Sequence, residues 1–166
     1  MQTRRFSYRS ILEALDRHAV EHIVIGGVCA VAHGAPITTF DLDLVHRRTA
    51  ANIDRVLAAL AQLDAHHREP GDRQLPPQRG VLEGPEPALF ATPFGSVDFI
   101  GELLGRGFEQ LLPHTVELVL GDGLKIRILD LETLIEVKEG AGRPKDLLVL
   151  PILRQTLAES QRQRDC

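Results

Sequence analysis

The segment TTFDLDLV, from Thr38 to Val45, constrains the fold most, because it has the pattern of a half-buried β-strand that carries two aspartates. Side chains two residues apart in a strand point to the same face, so Asp41 and Asp43 share one face. Leu42 and Leu44 point the other way, towards a core. Two carboxylates about 5 Å apart repel by roughly 3 kcal/mol at an effective dielectric constant of about 20. With no Lys or Arg in the segment, a divalent cation such as Mg²⁺ is one way to offset that repulsion.

The composition is that of one globular domain, with 166 residues of which 43% are hydrophobic and 25% charged. We therefore predict a single domain over residues 1–166, with its core at about 7–161. A net charge of −4 argues against a broad duplex-binding surface. The apolar stretches are too short to span a bilayer, so no membrane partner is expected. Cys29 lies in an apolar segment and Cys166 ends the chain, which favours a cytoplasmic protein without a disulfide framework.

The rest of the chain alternates helical and strand patterns and shows no repeats, which predicts an α+β (or α/β) domain with a mixed sheet. Helices are predicted at Ser7–Glu21, Val28–His33, from Thr49, at Leu103–Leu112, from Asp130 to Val137 and from Pro144 to about Gln161. Strands are predicted at HIVI, ALFAT, SVDFIG, VELVL and LKIRIL, the last two joined by a Gly121–Gly123 turn. The Pro-, Gly- and Arg-rich stretch His66–Pro87 is predicted to be a long, mobile loop.

Two further features fit a phosphate-handling site. Gly26 and Gly27 lie between a strand and a helix, where glycine lets a phosphate approach the backbone, although such a pair is more often only a turn. In SVDFIG, Asp98 alternates with Val97 and Phe99, so its carboxylate lies opposite the core face. Alone, it reads as a polar strand end. Together, three carboxylates on adjacent strands facing a glycine turn predict a two-metal phosphoryl-transfer site.

The segment GGVCAVAHGAPITTFDLDLV resembles the nucleotidyltransferase superfamily, the minimal polymerase-β-like fold, and looks closest to its small bacterial abortive-infection toxin-like group. That pattern is a Gly-Gly or Gly-Ser turn, a helix ending in His-Gly, and Arg-x-Thr-x-Asp-x-Asp. A later Lys followed by Arg-x-Lys-Asp is also similar, so the resemblance covers about Ile23 to Leu157. The matching residues are Gly26, Gly27, His33, Gly34, Thr39, Asp41, Asp43, Asp98, Lys138, Arg143, Lys145 and Asp146.

The resemblance implies transfer of a nucleoside monophosphate from an NTP to an acceptor hydroxyl, with Mg²⁺ or Mn²⁺ as cofactor. Asp41 and Asp43 would bind both metal ions, and Asp98 would complete the metal site and activate the acceptor. The implied nucleotide-binding residues are Gly26, Gly27, Thr39, Lys138, Arg143 and Lys145. The acceptor is left open between an RNA such as tRNA, a protein and a small molecule such as an antibiotic.

One position departs from the pattern, because the Arg that precedes Thr-x-Asp falls at Ile37. This supports an alternative: an inactive nucleotidyltransferase-fold binding module, either a nucleotide sensor or one half of a toxin–antitoxin-like pair with a cognate antitoxin-like protein. Arg143 and Lys145 are also unfavourably placed at a helix start. A bound anion or local pairing with Asp146 or Glu139 would explain them equally well.

Overall fold

A seven-stranded mixed sheet forms the centre of the computed structural model, which describes residues 6–68 and 73–166. Along the sheet the strands follow the order β3-β4-β5-β2-β1-β7-β6. The pairs β2–β5 and β1–β7 are parallel and the other neighbours are antiparallel. The predicted α+β fold with a mixed sheet is therefore confirmed. The strands are β1 His22–Ile25, β2 Asp41–His46, β3 His66–His67, β4 Ala88–Thr92, β5 Gly95–Ile100, β6 Thr115–Leu120 and β7 Leu124–Leu129.

Seven α-helices are found in the described residues, three of them with side-chain caps where the sequence placed capping residues. Ser7, Thr49 and Asp130 accept from the backbone N–H three residues ahead, which satisfies one free donor of each helix. Within these residues, none of the helices combines the length and apolarity needed to cross a membrane. The helices are α1 Tyr8–Arg17, α2 Gly26–Ala32, α3 Ala50–Gln62, α4 Arg79–Glu83, α5 Phe108–Leu111, α6 Leu131–Ala141 and α7 Pro144–Arg164.

The core lies on the side of β2 that the alternating pattern predicted. Leu42 and Leu44 are fully buried, together with Ile11 of α1 and Ile53 of α3. Complete burial of such a side chain is worth about 1.5–3 kcal/mol. The opposite side of β2 is therefore free to carry polar groups without disturbing the core.

Some element boundaries differ from the predictions for identifiable reasons. Strand β2 begins at Asp41 rather than Thr38, because its ladder with β5 begins at the Asp41–Ser96 pair. Helix α1 ends at Arg17, since Ala19 adopts a positive φ of 54° that a helix does not tolerate. Leu104 likewise has φ 48°, so the predicted helix over Leu103–Leu112 is reduced to the short α5 and a single 3₁₀ turn.

The prediction of an unbroken loop over His66–Pro87 is wrong where the structure describes this stretch. Strand β3 pairs with β4, and α4 is anchored by the fully buried Leu82. The Leu82 carbonyl is also 2.8 Å from His46 Nε2. Both elements are too short to show in a hydrophobic pattern and depend on tertiary contacts. Residues 69–72 of this stretch lie outside the described part of the chain.

Candidate active site

The parallel pairing of β2 and β5 brings the predicted carboxylates onto one face of the sheet. Asp43 lies directly opposite Asp98 in the ladder, and Asp41 lies opposite Ser96 two residues earlier. The Asp98 side chain is only 14% exposed, whereas that of Asp41 is 57% exposed. The structure thus joins the two acidic motifs, with one carboxylate at the solvent edge and two further in.

Asp41, Asp43 and Asp98 form an acidic row in which burial and mutual repulsion oppose ionisation of Asp43 and Asp98. Burial, and then the charges of Asp98 and Asp41, raise the pKa of Asp43 to about 6. Burial also raises the pKa of Asp98, although the neighbouring Arg68 guanidinium partly opposes that shift. A cation that stabilises the charged form of Asp43 would therefore bind favourably here.

Among the described residues, Arg68 is the member of this cluster that the sequence did not predict. Its Nη2 lies 2.9 Å from Asp98 Oδ1 and its Nη1 lies 3.8 Å from Asp41 Oδ1. Thr38–Val45 contains no Lys or Arg, and the compensating cation comes instead from the residue that follows β3. The Arg-rich composition of His66–Pro87 was the available signal, and only knowledge of β3 could have placed one of its arginines here.

The two glycines have local structural reasons for being glycine. Gly26 has φ 67°, and a Cβ there would lie 3.2 Å from Asp43 Cβ and still closer to Asp43 Oδ2. A Cβ on Gly27 would lie 2.7 Å from Thr39 Cβ. The Thr39 hydroxyl in turn donates to the Asp41 carbonyl over 3.2 Å. The β1–α2 junction therefore closes directly onto the acidic strand, and the phosphate role of these residues stays a prediction.

Lys138 of α6 and Arg143, which precedes α7, pair with one buried carboxylate. Asp146, whose side chain is 1% exposed, lies 2.6 Å from Arg143 Nε and 3.4 Å from Lys138 Nζ. Burial by itself would raise the pKa of Asp146, but Arg143 and Lys138 outweigh burial and the net shift is downward. Local pairing with Asp146, one of the two explanations left open for Arg143, is present in the structure. Glu139 pairs with Arg154 instead.

A cavity of about 270 Å³ connects the acidic row with these cations. Its lining includes Gly26, Gly27, Thr39 and Asp43 together with the cations Lys138, Arg143 and Lys145. Apolar side chains complete the wall, including Ile37 at the position that departs from the resemblance. All six predicted nucleotide-binding residues therefore line a single cavity. Lys145 is exposed and has no ion pair within residues 6–68 and 73–166.

The residues suit a hard divalent cation only in part. Oxygen ligands are what Mg²⁺ prefers, and Asp98 Oδ1 is buried without a hydrogen bond of good geometry. Across the described residues, however, no three His, Cys, Asp or Glu side chains stand together as a metal-binding group. Arg68 contacts both Asp98 and Asp41. The metal set of Asp41, Asp43 and Asp98 therefore stays a prediction that requires rearrangement of Arg68.

Two residues of the α2 region prove structural. His33 Nε2 lies 2.8 Å from the Leu129 carbonyl, as expected for a histidine that fixes a helix end. Cys29 is fully buried and its Sγ contacts the same carbonyl. Burial raises the pKa of the Cys29 thiol to about 12, so it is unreactive at neutral pH.

Comparisons with known proteins show the fold. No family model matches the chain, and no curated protein matches it in sequence. A crystal structure of a candidate nucleotidyltransferase from Thermotoga maritima matches with a TM-score of 0.57 at 16% identity, over 92% of this chain and 91% of that one. The solution structure of the antibiotic-resistance factor ANT(2″)-Ia matches with a TM-score of 0.58 at 16% identity, over 95% and 90%.

A crystal structure of ANT(2″)-Ia in complex with adenylyl-2″-tobramycin is similar to the same extent. Its TM-score is 0.59 at 15% identity, and the match covers 96% of this chain and 97% of that one. The chain therefore has a nucleotidyltransferase-like fold over nearly its whole length. The similarity to abortive-infection toxin-like proteins remains an expectation from the sequence.

Proposed function

We propose that the protein transfers a nucleoside monophosphate from an NTP to an acceptor hydroxyl, with Mg²⁺ or Mn²⁺ as cofactor. The observation that carries this proposal is the placement of Asp43 opposite Asp98, beside a cavity that also contains Lys138, Arg143 and Lys145. Carboxylates on one side and cations on the other suit a metal-bound triphosphate, which carries charges of both kinds.

The carboxylates would hold the metal and handle the proton. A divalent cation, when bound, would supply polarisation of the α-phosphate and would favour ionisation of the acceptor hydroxyl. Asp41 and Asp43 would be its main ligands, and Asp98 would accept the hydroxyl proton. The acceptor oxygen then forms a bond to the α-phosphorus, the bond from that phosphorus to the bridging oxygen breaks, and pyrophosphate leaves.

The cavity would hold the nucleotide. Arg143 is 60% exposed despite its contact with Asp146, so it keeps donors for a phosphate, and Lys145 is exposed with no ion pair among the described residues. Gly26, Gly27 and Thr39 line the same space, and their backbone N–H groups and hydroxyl would be the donors offered to a phosphate. The apolar wall that includes Ile37 and Val149 is suited to the base.

For the acceptor we favour a hydroxyl of a small molecule. The support is the likeness, over 97% of its length, to a structure that contains adenylyl-2″-tobramycin. RNA such as tRNA and protein are the other acceptor classes. The reaction would take place in the cytoplasm, in keeping with two free cysteines.

A second function, nucleotide binding without transfer, is favoured by two observations. Ile37 offers no charge to a phosphate, and Arg68 already neutralises part of the acidic row. Such a module would act as a nucleotide sensor or pair with an antitoxin-like protein. It shares the cavity with the enzyme and differs in lacking turnover.

Incubation with each α-labelled NTP, Mg²⁺ or Mn²⁺, and separate pools of aminoglycosides, tRNA and cell protein tests the proposal. Label should pass to one pool with release of pyrophosphate, and Asp43→Asn should prevent it. Tight NTP binding by a folded protein that labels none of the pools would instead support the binding module.

A further inference from the structure

Arg68 lies in register, across the sheet, with Asp98 and Asp43. His67 opposes Phe90 in the ladder of β3 and β4, and the Arg68 N–H continues this pairing by donating to the Leu89 carbonyl over 3.0 Å. Leu89 opposes Asp98, which in turn opposes Asp43. Because residues in register point to one face, Arg68 is built into the site by the sheet rather than placed there by chance.

The Arg68 guanidinium forms ion pairs with carboxylate oxygens that a cation would need. It reaches Asp98 Oδ1 at 2.9 Å and Asp41 Oδ1 at 3.8 Å, and its side chain is 30% exposed. Mg²⁺ bonds carboxylate oxygens at about 2.0–2.1 Å. An ion bound to Asp98 Oδ1 would therefore lie against the positive charge of Arg68, so the guanidinium and the ion compete for this oxygen.

Release of the guanidinium requires little change in the protein. The main chain of Arg68 is fixed by its bond to Leu89, so only side-chain torsions have to alter. The partly exposed side chain has solvent beside it. The exchange of Arg68 for a metal ion is thus a local event that leaves the sheet unchanged.

We propose that Arg68 is a built-in competitor of the divalent cation, which neutralises Asp98 and Asp41 in the metal-free protein and must leave them before the metal binds. This inference rests on the proposed function for its metal, but it concerns binding rather than turnover. It makes Arg68 a residue that sets the metal concentration at which the site becomes occupied.

Titration of the full-length protein with Mn²⁺ in the absence of nucleotide, by calorimetry or electron paramagnetic resonance, tests the proposal. Arg68→Ala should bind Mn²⁺ about fivefold more tightly than wild type, the factor expected when a partly exposed ion pair no longer competes. Arg68→Lys should lie between the two. Arg79→Ala is the matched control, because Arg79 pairs with Asp54 and Glu83 away from the site, and it should bind as wild type does.

A second measurement does not depend on a substitution. The Nε–H NMR signal of Arg68 in the wild-type protein should shift on addition of Mg²⁺. Equal or weaker Mn²⁺ affinity of Arg68→Ala overturns the proposal, as does an unmoved Arg68 signal at saturating Mg²⁺. Arg68→Gln replaces Arg68→Ala if the latter does not fold, with the same criterion.

The failure of this inference can be told from the failure of the proposed function. Tighter Mn²⁺ binding by Arg68→Ala, with no nucleotide transfer by any variant, keeps the role of Arg68 and removes the enzyme. Transfer by the wild type, with identical Mn²⁺ affinities, keeps the enzyme and removes the competitor. Absence of Mn²⁺ binding to every variant in the absence of nucleotide overturns the competitor and leaves the enzyme to be judged by the transfer assay.

Discussion

Asp43, which is partly buried, and Asp146, which is fully buried, line the same cavity, but the charges that surround them are opposite in sign. Asp146 is enclosed by Arg143 and Lys138, and its pKa is lowered. Asp43 faces Asp98 and Asp41, and its pKa is raised to about 6. The negative charge of Asp146 is therefore already compensated, and this residue stabilises the fold. The negative charge of Asp43 is not compensated, as expected for a group whose cationic partner arrives from solution.

The largest expected effect is the loss of the satisfied carboxylate. Asp146→Ala removes the shared partner of Arg143 and Lys138 and should lower the free energy of unfolding by about 3 kcal/mol, because two cations remain without compensation. Chemical denaturation at pH 7 measures it. Arg154→Ala, at an exposed pair with Glu139, is the control and should cost well under that. A wild-type midpoint for Asp146→Ala would contradict a structural role.

Asp43→Asn should act in the opposite direction on stability. Removal of one charge from the acidic row should leave the metal-free protein as stable as wild type or more stable by about 1–2 kcal/mol at pH 7.5. Transfer should fall by at least about a hundredfold, since a metal ligand is lost. Thermal shifts show both effects: Mg²⁺ and NTP together should stabilise the wild type more than either alone, and Asp43→Asn should lose that synergy. An unfolded Asp43→Asn would mean that the residue is structural.

The pH dependence of stability separates the two aspartates further. The pKa of Asp43 is about 6 in the folded state against an ordinary value of 3.8, so the folded state retains a proton that the unfolded state loses. The stabilising contribution is complete below about pH 4 and is lost as pH rises through about 6, by about 1–3 kcal/mol in total. Asp146, with a lowered pKa, gives the reverse slope at lower pH.

Denaturation curves of the wild type and Asp43→Asn at closely spaced pH values check this slope. The difference in stability between them should change between about pH 4 and about pH 6 and be constant above. Mg²⁺ affinity should show the opposite trend and improve as pH rises through about 6, because the metal requires ionised Asp43. A difference that is independent of pH would show that Asp43 ionises normally.

The contrast between Asp43 and Asp146 also shows which parts of the site could be predicted from the sequence. The alternation in DLDLV and SVDFI was enough to place Asp41, Asp43 and Asp98 on one face, because a strand reverses its side chains at every residue. The pairing of Arg143 with Asp146 followed from proximity in the chain, and was one of two open explanations. Arg68 could not be found in this way. Its position depends on β3, which has two residues and is defined by its pairing with β4 rather than by any local pattern.

The smallest expected effect concerns the nucleotide side of the cavity, where Ile37 replaces the Arg of the resemblance. Ile37 is partly buried and lines the cavity, so an Arg there can direct its guanidinium into the cavity while its stem keeps the packing. Ile37→Arg should fold, with a change in stability of less than about 1.5 kcal/mol. It should tighten NTP binding by about 1 kcal/mol, a charge-assisted contact partly offset by its ordering.

Lys145→Ala should weaken NTP binding by about 1 kcal/mol without loss of stability, since Lys145 is exposed and makes no ion pair in the described residues. Arg143→Ala is the less direct test. Its expected loss of about 1–3 kcal/mol in NTP affinity comes together with the loss of one of the two cationic partners of Asp146, which then keeps only Lys138. Calorimetric titration with a non-hydrolysable NTP and Mg²⁺ ranks the three variants. One outcome is that Ile37→Arg folds and binds NTP more tightly while neither it nor the wild type releases pyrophosphate with any acceptor pool. That result would show that the cavity binds nucleotide without transferring it.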